Sequence, residues 1–210
     1  MLVSGDGDDD GRMQRYNAPE NEVPAVHPVS AVLARTDTSA LSLTGLRVFS
    51  TGITFTLELR CRPEALPGGE PDLHSLLWGG RRGAPQLLVG LELADGRRVS
   101  NLPGHDPFGD GVDAMIFHQG SGSGSQLSLE QEWWLSPLPP AGPLRIVVRC
   151  GLLGLPEATL ELDGAAIQAA AESVVVLWPW VSPSALEQPE PVLPDLPADS
   201  WFMDGRGGRG

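Results

Sequence analysis

ITFTLELRC, residues 53–61, alternates strictly along its length. Ile53, Phe55, Leu57, Leu59 and Cys61 fall on one side, and Thr54, Thr56, Glu58 and Arg60 on the other. A period of two places successive side chains on opposite faces of an extended chain, so this pattern predicts a half-buried β-strand. The same reading extends in both directions. Upstream, SALSLTGLRVF (39–49) offers Leu41, Leu43, Leu46 and Val48. Downstream, QLLVGLELADGRRVSNL (86–102) reads as a hairpin with Leu87, Val89, Leu91 and Leu93 inward, because Asp95-Gly96 is a favoured two-residue turn. VDAMIFHQ (112–119), QLSLEQEWWL (126–135), LRIVVRC (144–150) and ATLELDG (158–164) follow as further strands, with Ile146, Val148 and Cys150 on one face.

After Asp163-Gly164 the period changes. Ile167, Ala170, Ala171 and Val174 recur at helical spacing, and alanine is the strongest helix former, so one short helix is expected over residues 166–174. About eight to ten short strands with turns between them and one helix predict an all-β protein, an antiparallel β-sandwich of jelly-roll type. The absence of βαβ alternation argues against a doubly wound sheet.

Composition agrees. The chain has 210 residues and is 41% hydrophobic, enough for one domain with a core. Its 26 glycines and 20 prolines lie between apolar runs, as turns require. Residues 1–22 are acidic and aperiodic and are expected to form a flexible tail. Residues 23–181 form the sandwich. Residues 182–210 read as a proline-rich acidic linker ending in a compact aromatic peptide.

The net charge of −13 argues against a nucleic-acid or anionic-membrane partner. Two arginines in the terminal GRGGRG are a weak signal against that charge. All 14 basic residues are arginine, which excludes lysine Schiff-base and P-loop chemistry. The first residues lack an apolar signal core, so a cytoplasmic location with reduced Cys61 and Cys150 is the expectation. The two cysteines end similar strand patterns, which would suit neighbouring strands.

No residue type and spacing marks a nucleophile. GSGSGS, residues 120–125, satisfies neither the nucleophile-elbow nor the phosphate-loop pattern and reads as a flexible loop. His105, Asp106, Asp110 and Asp113, with His118 beyond them, bring imidazoles and carboxylates into one span that a divalent cation would suit. The same residues are what a surface turn uses. Arg81, Arg82, Arg97 and Arg98 flank two loops and suit an anionic ligand or a solvated rim.

Trp133 and Trp134 must point to opposite faces of their strand. One enters the core. The other is either exposed, where it would stack on a sugar ring, or covered, by the short helix or by LWPW (177–180). Trp201, Phe202 and Met203, bracketed by acids at the end of the linker, resemble a peptide that docks in a partner's groove, or one that folds back on its own domain.

These observations point first to a non-catalytic, soluble protein without a cofactor that binds another protein, and a homodimer through sheet edges is a further option. A carbohydrate- or small-ligand-binding module built on Trp133 or Trp134 is the second reading. A metal-dependent enzyme built on the dispersed His/Asp residues is the third.

Overall fold

The computed structural model describes residues 6–66, 72–78, 86–103 and 114–182. The chain divides into two units, Met1–Trp180 and Val181–Gly210. Within the first, the elements run α1 (Asp6–Tyr16), β1 (Glu22–Val23), β2 (Ala25–His27), β3 (Ala31–Arg35), β4 (Ser39–Phe49), β5 (Gly52–Cys61), α2 (Leu73–Trp78), β6 (Leu88–Glu92), β7 (Arg98–Ser100), β8 (Ile116–Gly124), β9 (Ser128–Ser136), β10 (Pro143–Cys150), β11 (Leu155–Asp163), α3 (Gly164–Ala171) and β12 (Val175–Val176).

Two antiparallel sheets carry the fold. The larger runs β2-β4-β5-β9-β8, with β3 also on β4, and the smaller runs β11-β10-β6-β7. β2 and β3 lie along the same edge of β4, at Leu46–Val48 and Ala40–Leu43 respectively. Pro28, between them, has no N–H to donate to the ladder, which accounts for the interruption.

The predicted sandwich is the observed architecture. In the larger sheet, Leu41, Leu43, Leu46 and Val48 pair across with Leu59, Leu57, Phe55 and Ile53, all buried. Leu129, Trp133 and Leu135 continue the same face on β9. The smaller sheet answers with Val89, Leu91, Ile146, Val148 and Leu155, and both sets form one cluster. Strands whose one face is buried keep a period of two, interrupted on β4 by the bulge between Leu43 and Gly45, which is why these inward sets were readable. Ile167 of α3 is fully buried in that cluster, and Asp163 caps the helix by accepting from the Ala165 amide at 2.9 Å.

Three local readings change. The hairpin at Asp95-Gly96 closes through a three-residue loop. Leu93 N–H donates to the Arg97 carbonyl, Gly96 N–H to the Leu93 carbonyl, and Gly96 takes φ 87°. That is a type I turn followed by a left-handed residue, a geometry that suits glycine. Residues 120–124, expected as a loop, are the far half of β8, paired with Leu129–Gln131 beyond a bulge. An outer strand tolerates such small residues because one of its edges is unpaired. α2 was not foreseen. Asp72 accepts from the Ser75 amide at 2.6 Å as its cap, and that hydrogen bond holds the Asp72 carboxyl below its ordinary range.

The largest departure is at the N-terminus. Residues 6–16, expected within a flexible tail, form α1, and Glu22–Val23 pairs with Val175–Val176 as a two-stranded ribbon. Aspartates begin α1 and Arg15 lies in its last turn, the arrangement that suits the helix dipole. Among the described residues no helix is long and apolar enough to cross a membrane.

Candidate functional site

Trp133 and Trp134 do point to opposite faces, and each is only 2% exposed. Trp133 faces the other sheet and stacks on Phe117, with ring centroids 5.1 Å apart at 20°. Its indole Nε1 finds no protein acceptor, nor does the buried Gln131 Oε1, two residues away on the same face, find a donor.

Trp134 lies on the outer face of the larger sheet, in a row with Thr54 and His118. It packs with Phe49 and Ile116, meeting Phe49 edge-on at 5.8 Å. Its cover is the N-terminal segment. The indole Nε1–H donates to the Arg15 carbonyl at 2.9 Å, His118 Nε2 lies 2.8 Å from the Tyr16 carbonyl, and Ala18 packs against the cluster of Phe49, Ile116 and Trp134. Tyr16 and His118 also meet ring to ring at 5.5 Å. The covering element is therefore neither α3 nor the LWPW segment but the part of the chain read as a tail. A sugar-stacking platform at Trp133 or Trp134 is corrected accordingly, since neither ring offers an open face to solvent.

This cover is testable. Deleting residues 1–18 is expected to make tryptophan fluorescence more accessible to acrylamide. The same deletion in a Trp134→Phe background should leave quenching unchanged. Equal increases in both backgrounds would remove Trp134 as the residue under the strap.

The cysteines lie in different sheets, not on neighbouring strands. Cys61 ends β5 and Cys150 ends β10. Both are free thiols, and burial raises the pKa of each. Desolvation disfavours the thiolate, so neither has the environment of a reactive nucleophile. Arg97 pairs with Asp95 at 2.7 Å and Arg98 with Glu92 at 2.6 Å. The Arg97 hydrogen bond holds the Asp95 carboxyl below its ordinary range. Those two arginines are thus committed to the hairpin itself.

No family model, curated protein or solved structure matches this chain. The site must be judged on its own chemistry. Among the described residues no group of three or more His, Cys, Asp or Glu side chains is placed to hold a metal ion. The expected metal ligands His105, Asp106, Asp110 and Asp113 lie outside the described residues, as do Arg81, Arg82 and the terminal Trp201, Phe202 and Met203.

What sequence reading missed is the ribbon of β1 and β12. Val23 pairs with Val175 and Glu22 with Val176, and the chain continues through Leu177 and Trp178. Asn21 anchors it, donating from its side-chain amide to the Trp178 carbonyl at 2.8 Å and accepting from the Leu177 amide at 2.9 Å. Glu22 also binds the Ser50 amide at 2.9 Å, tying the ribbon to the turn between β4 and β5. Val23, Val175, Val176, Leu177 and Trp178 are all exposed, Trp178 to 58%. Consecutive Val175 and Val176 point to opposite sides, so both faces of the ribbon present apolar surface. The signal available beforehand was VVVLWPW, an apolar run that breaks helical spacing.

Proposed function

We propose that this protein is a non-catalytic interaction module whose β1–β12 ribbon binds another protein. The observation that supports this reading is the exposed run Val175-Val176-Leu177-Trp178 beside Val23, held in a fixed extended conformation by Asn21 and Glu22. Scattered exposed apolar residues are ordinary, but a contiguous set on an ordered ribbon is what a protein interface uses. Tryptophan is the side chain most enriched among residues that dominate binding energy. Among the described residues the ribbon's outer edges carry no further strand, so a partner strand can add there. The terminal peptide with Trp201, Phe202 and Met203 is a second arm of the same proposal.

The test compares three immobilised forms against soluble lysate of the native host: the full chain, a Val176→Asp/Trp178→Ala variant, and a chain ending at Val181. Bound proteins are identified by mass spectrometry and the interaction is rebuilt from purified components. The expected outcome is a partner bound by the full chain and weakened by 2 kcal/mol or more, on the order of thirtyfold, in the ribbon variant. The melting temperature should change little because both side chains are exposed. Loss only on truncation would move the interface to the terminal peptide. A partner held equally by all three forms would exclude both.

A further inference from the structure

The outer face of the larger sheet carries a second feature, remote from Trp134. Thr54 is the β5 residue opposite Trp134, and Arg60 lies six residues further along the same strand, about 20 Å away at the rise of a β-strand. There the registers place Arg35 opposite Ala40, and Ala40 opposite Arg60. Directly opposed residues share a face, so two arginine stalks flank an alanine across three strands, roughly 10 Å apart. Arg62 joins them. Its backbone N–H donates to the Thr38 carbonyl at 2.7 Å, which fixes it beside the turn between β3 and β4. Thr36 Oγ1 accepts from the amides of Thr38 and Ser39, so that turn is locally braced. Between these groups is a recess of about 350 Å³ lined by Val32, Arg35, Thr38, Ala40, Arg60 and Arg62, with Asp37 also on its lining.

The chain has 27 acidic residues to 14 arginines, so carboxylates are abundant. Arg47, Arg97, Arg98 and Arg145 all pair with one or more of them. In the recess, Arg60 pairs with Glu58 on its own strand. Neither Arg35 nor Arg62 has an ion pair among the described residues. Arg149 is also without an ion pair among the described residues, so what marks this recess is that two such arginines line it together. Arg35 and Arg62, without an ion pair among the described residues, thus line one recess together with Arg60, Thr38 and the small apolar Val32 and Ala40.

We propose that this recess binds a small phosphorylated molecule. The planar guanidinium fork matches a phosphoryl group with paired, charge-assisted hydrogen bonds. Arg35 and Arg62 would take the phosphoryl oxygens, and the organic remainder would lie against Ala40 and Val32, the latter 64% exposed. The volume suits a ligand of modest size. The site is independent of the ribbon and of the partner proposed there.

Phenyl phosphate is the probe, titrated into the full chain at low ionic strength and followed by calorimetry and by the arginine Nε–H resonances. Saturable binding is expected, with the Arg35 and Arg62 resonances moving. Arg35→Ala and Arg62→Ala should each weaken binding about tenfold, the equivalent of one charge-assisted hydrogen bond. Asp37→Asn should tighten it by removing a like charge from the recess. Phenyl sulfate, with one charge fewer, should bind more weakly, and added salt should weaken both. Melting curves of the variants should overlay the parent because these side chains are exposed. The proposal is overturned if the parent shows no saturable binding, or if the Arg35→Ala/Arg62→Ala double variant binds as the parent does. Equal binding of phosphate and sulfate would replace the phosphorylated ligand with a general oxyanion.

Discussion

Trp133→Ala is expected to lower stability by about 3–5 kcal/mol, the range for removing a large aromatic side chain from a packed core. The indole is 2% exposed, stacks on Phe117, and lies opposite Phe55 on β5 and Gln119 on β8. Its removal leaves a void between the two sheets beneath β9, which β5 and β8 cannot close without breaking their ladders. Thermal unfolding followed by circular dichroism should show a fall of roughly 6–20 °C for a domain of this size. Trp133→Phe separates volume from polarity. Its Nε1–H has no protein acceptor, and such a buried donor costs about 1–3 kcal/mol. Phenylalanine loses part of the ring but also removes that penalty, so its net cost should be well below that of alanine. A loss for Trp133→Ala within about 1 kcal/mol of zero would mean the indole is not a core anchor.

Gly52→Ala should be nearly as damaging although it adds only one carbon. A Cβ at this position would stand 2.2 Å from the Leu135 carbonyl oxygen and 2.8 Å from the edge of the Trp134 ring. The first obstacle is backbone, so no side-chain rotation relieves it. The start of β5 would have to part from β9, at the row where Ile53 faces Leu135. A cost on the order of 3 kcal/mol is expected, at the upper end for overpacking. The displacement should also disturb the Trp134 hydrogen bond to Arg15, visible as a change in tryptophan emission. Gly151→Ala is the control. Nothing lies within 4 Å of the added carbon there, and stability should stay within about 0.5 kcal/mol of the parent. Equal effects at the two glycines would refute the close approach at Gly52.

Gly52 and Trp134 also show how far local reading reaches. The opposed directions of Trp133 and Trp134 follow from strand geometry alone. That Trp134 is covered by residues 15–18 does not, because its hydrogen bond to Arg15 spans 119 residues. α1 itself is polar and rich in aspartate, with no apolar stripe to announce it, and tertiary contacts at its C-terminal end hold it in place. Asp72, by contrast, caps α2 through a local contact, accepting from the Ser75 amide three residues on. The exposed ribbon was hidden for a related reason. Val175 and Val176 look like core residues until their partner strand, β1, is found at the other end of the chain.

The amino-acid sequence by itself determined the inward faces of the central strands, a turn at Asp95-Gly96 and the helix after Asp163. Each is a local consequence of burying one face or of one residue's backbone freedom. Only the tertiary structure decided which segment covers Trp134, which sheet holds each cysteine, and that Arg35, Ala40 and Arg60 share one row. Those outcomes depend on strand register and on contacts between distant residues. Periodicity records that a face is buried, but not what buries it.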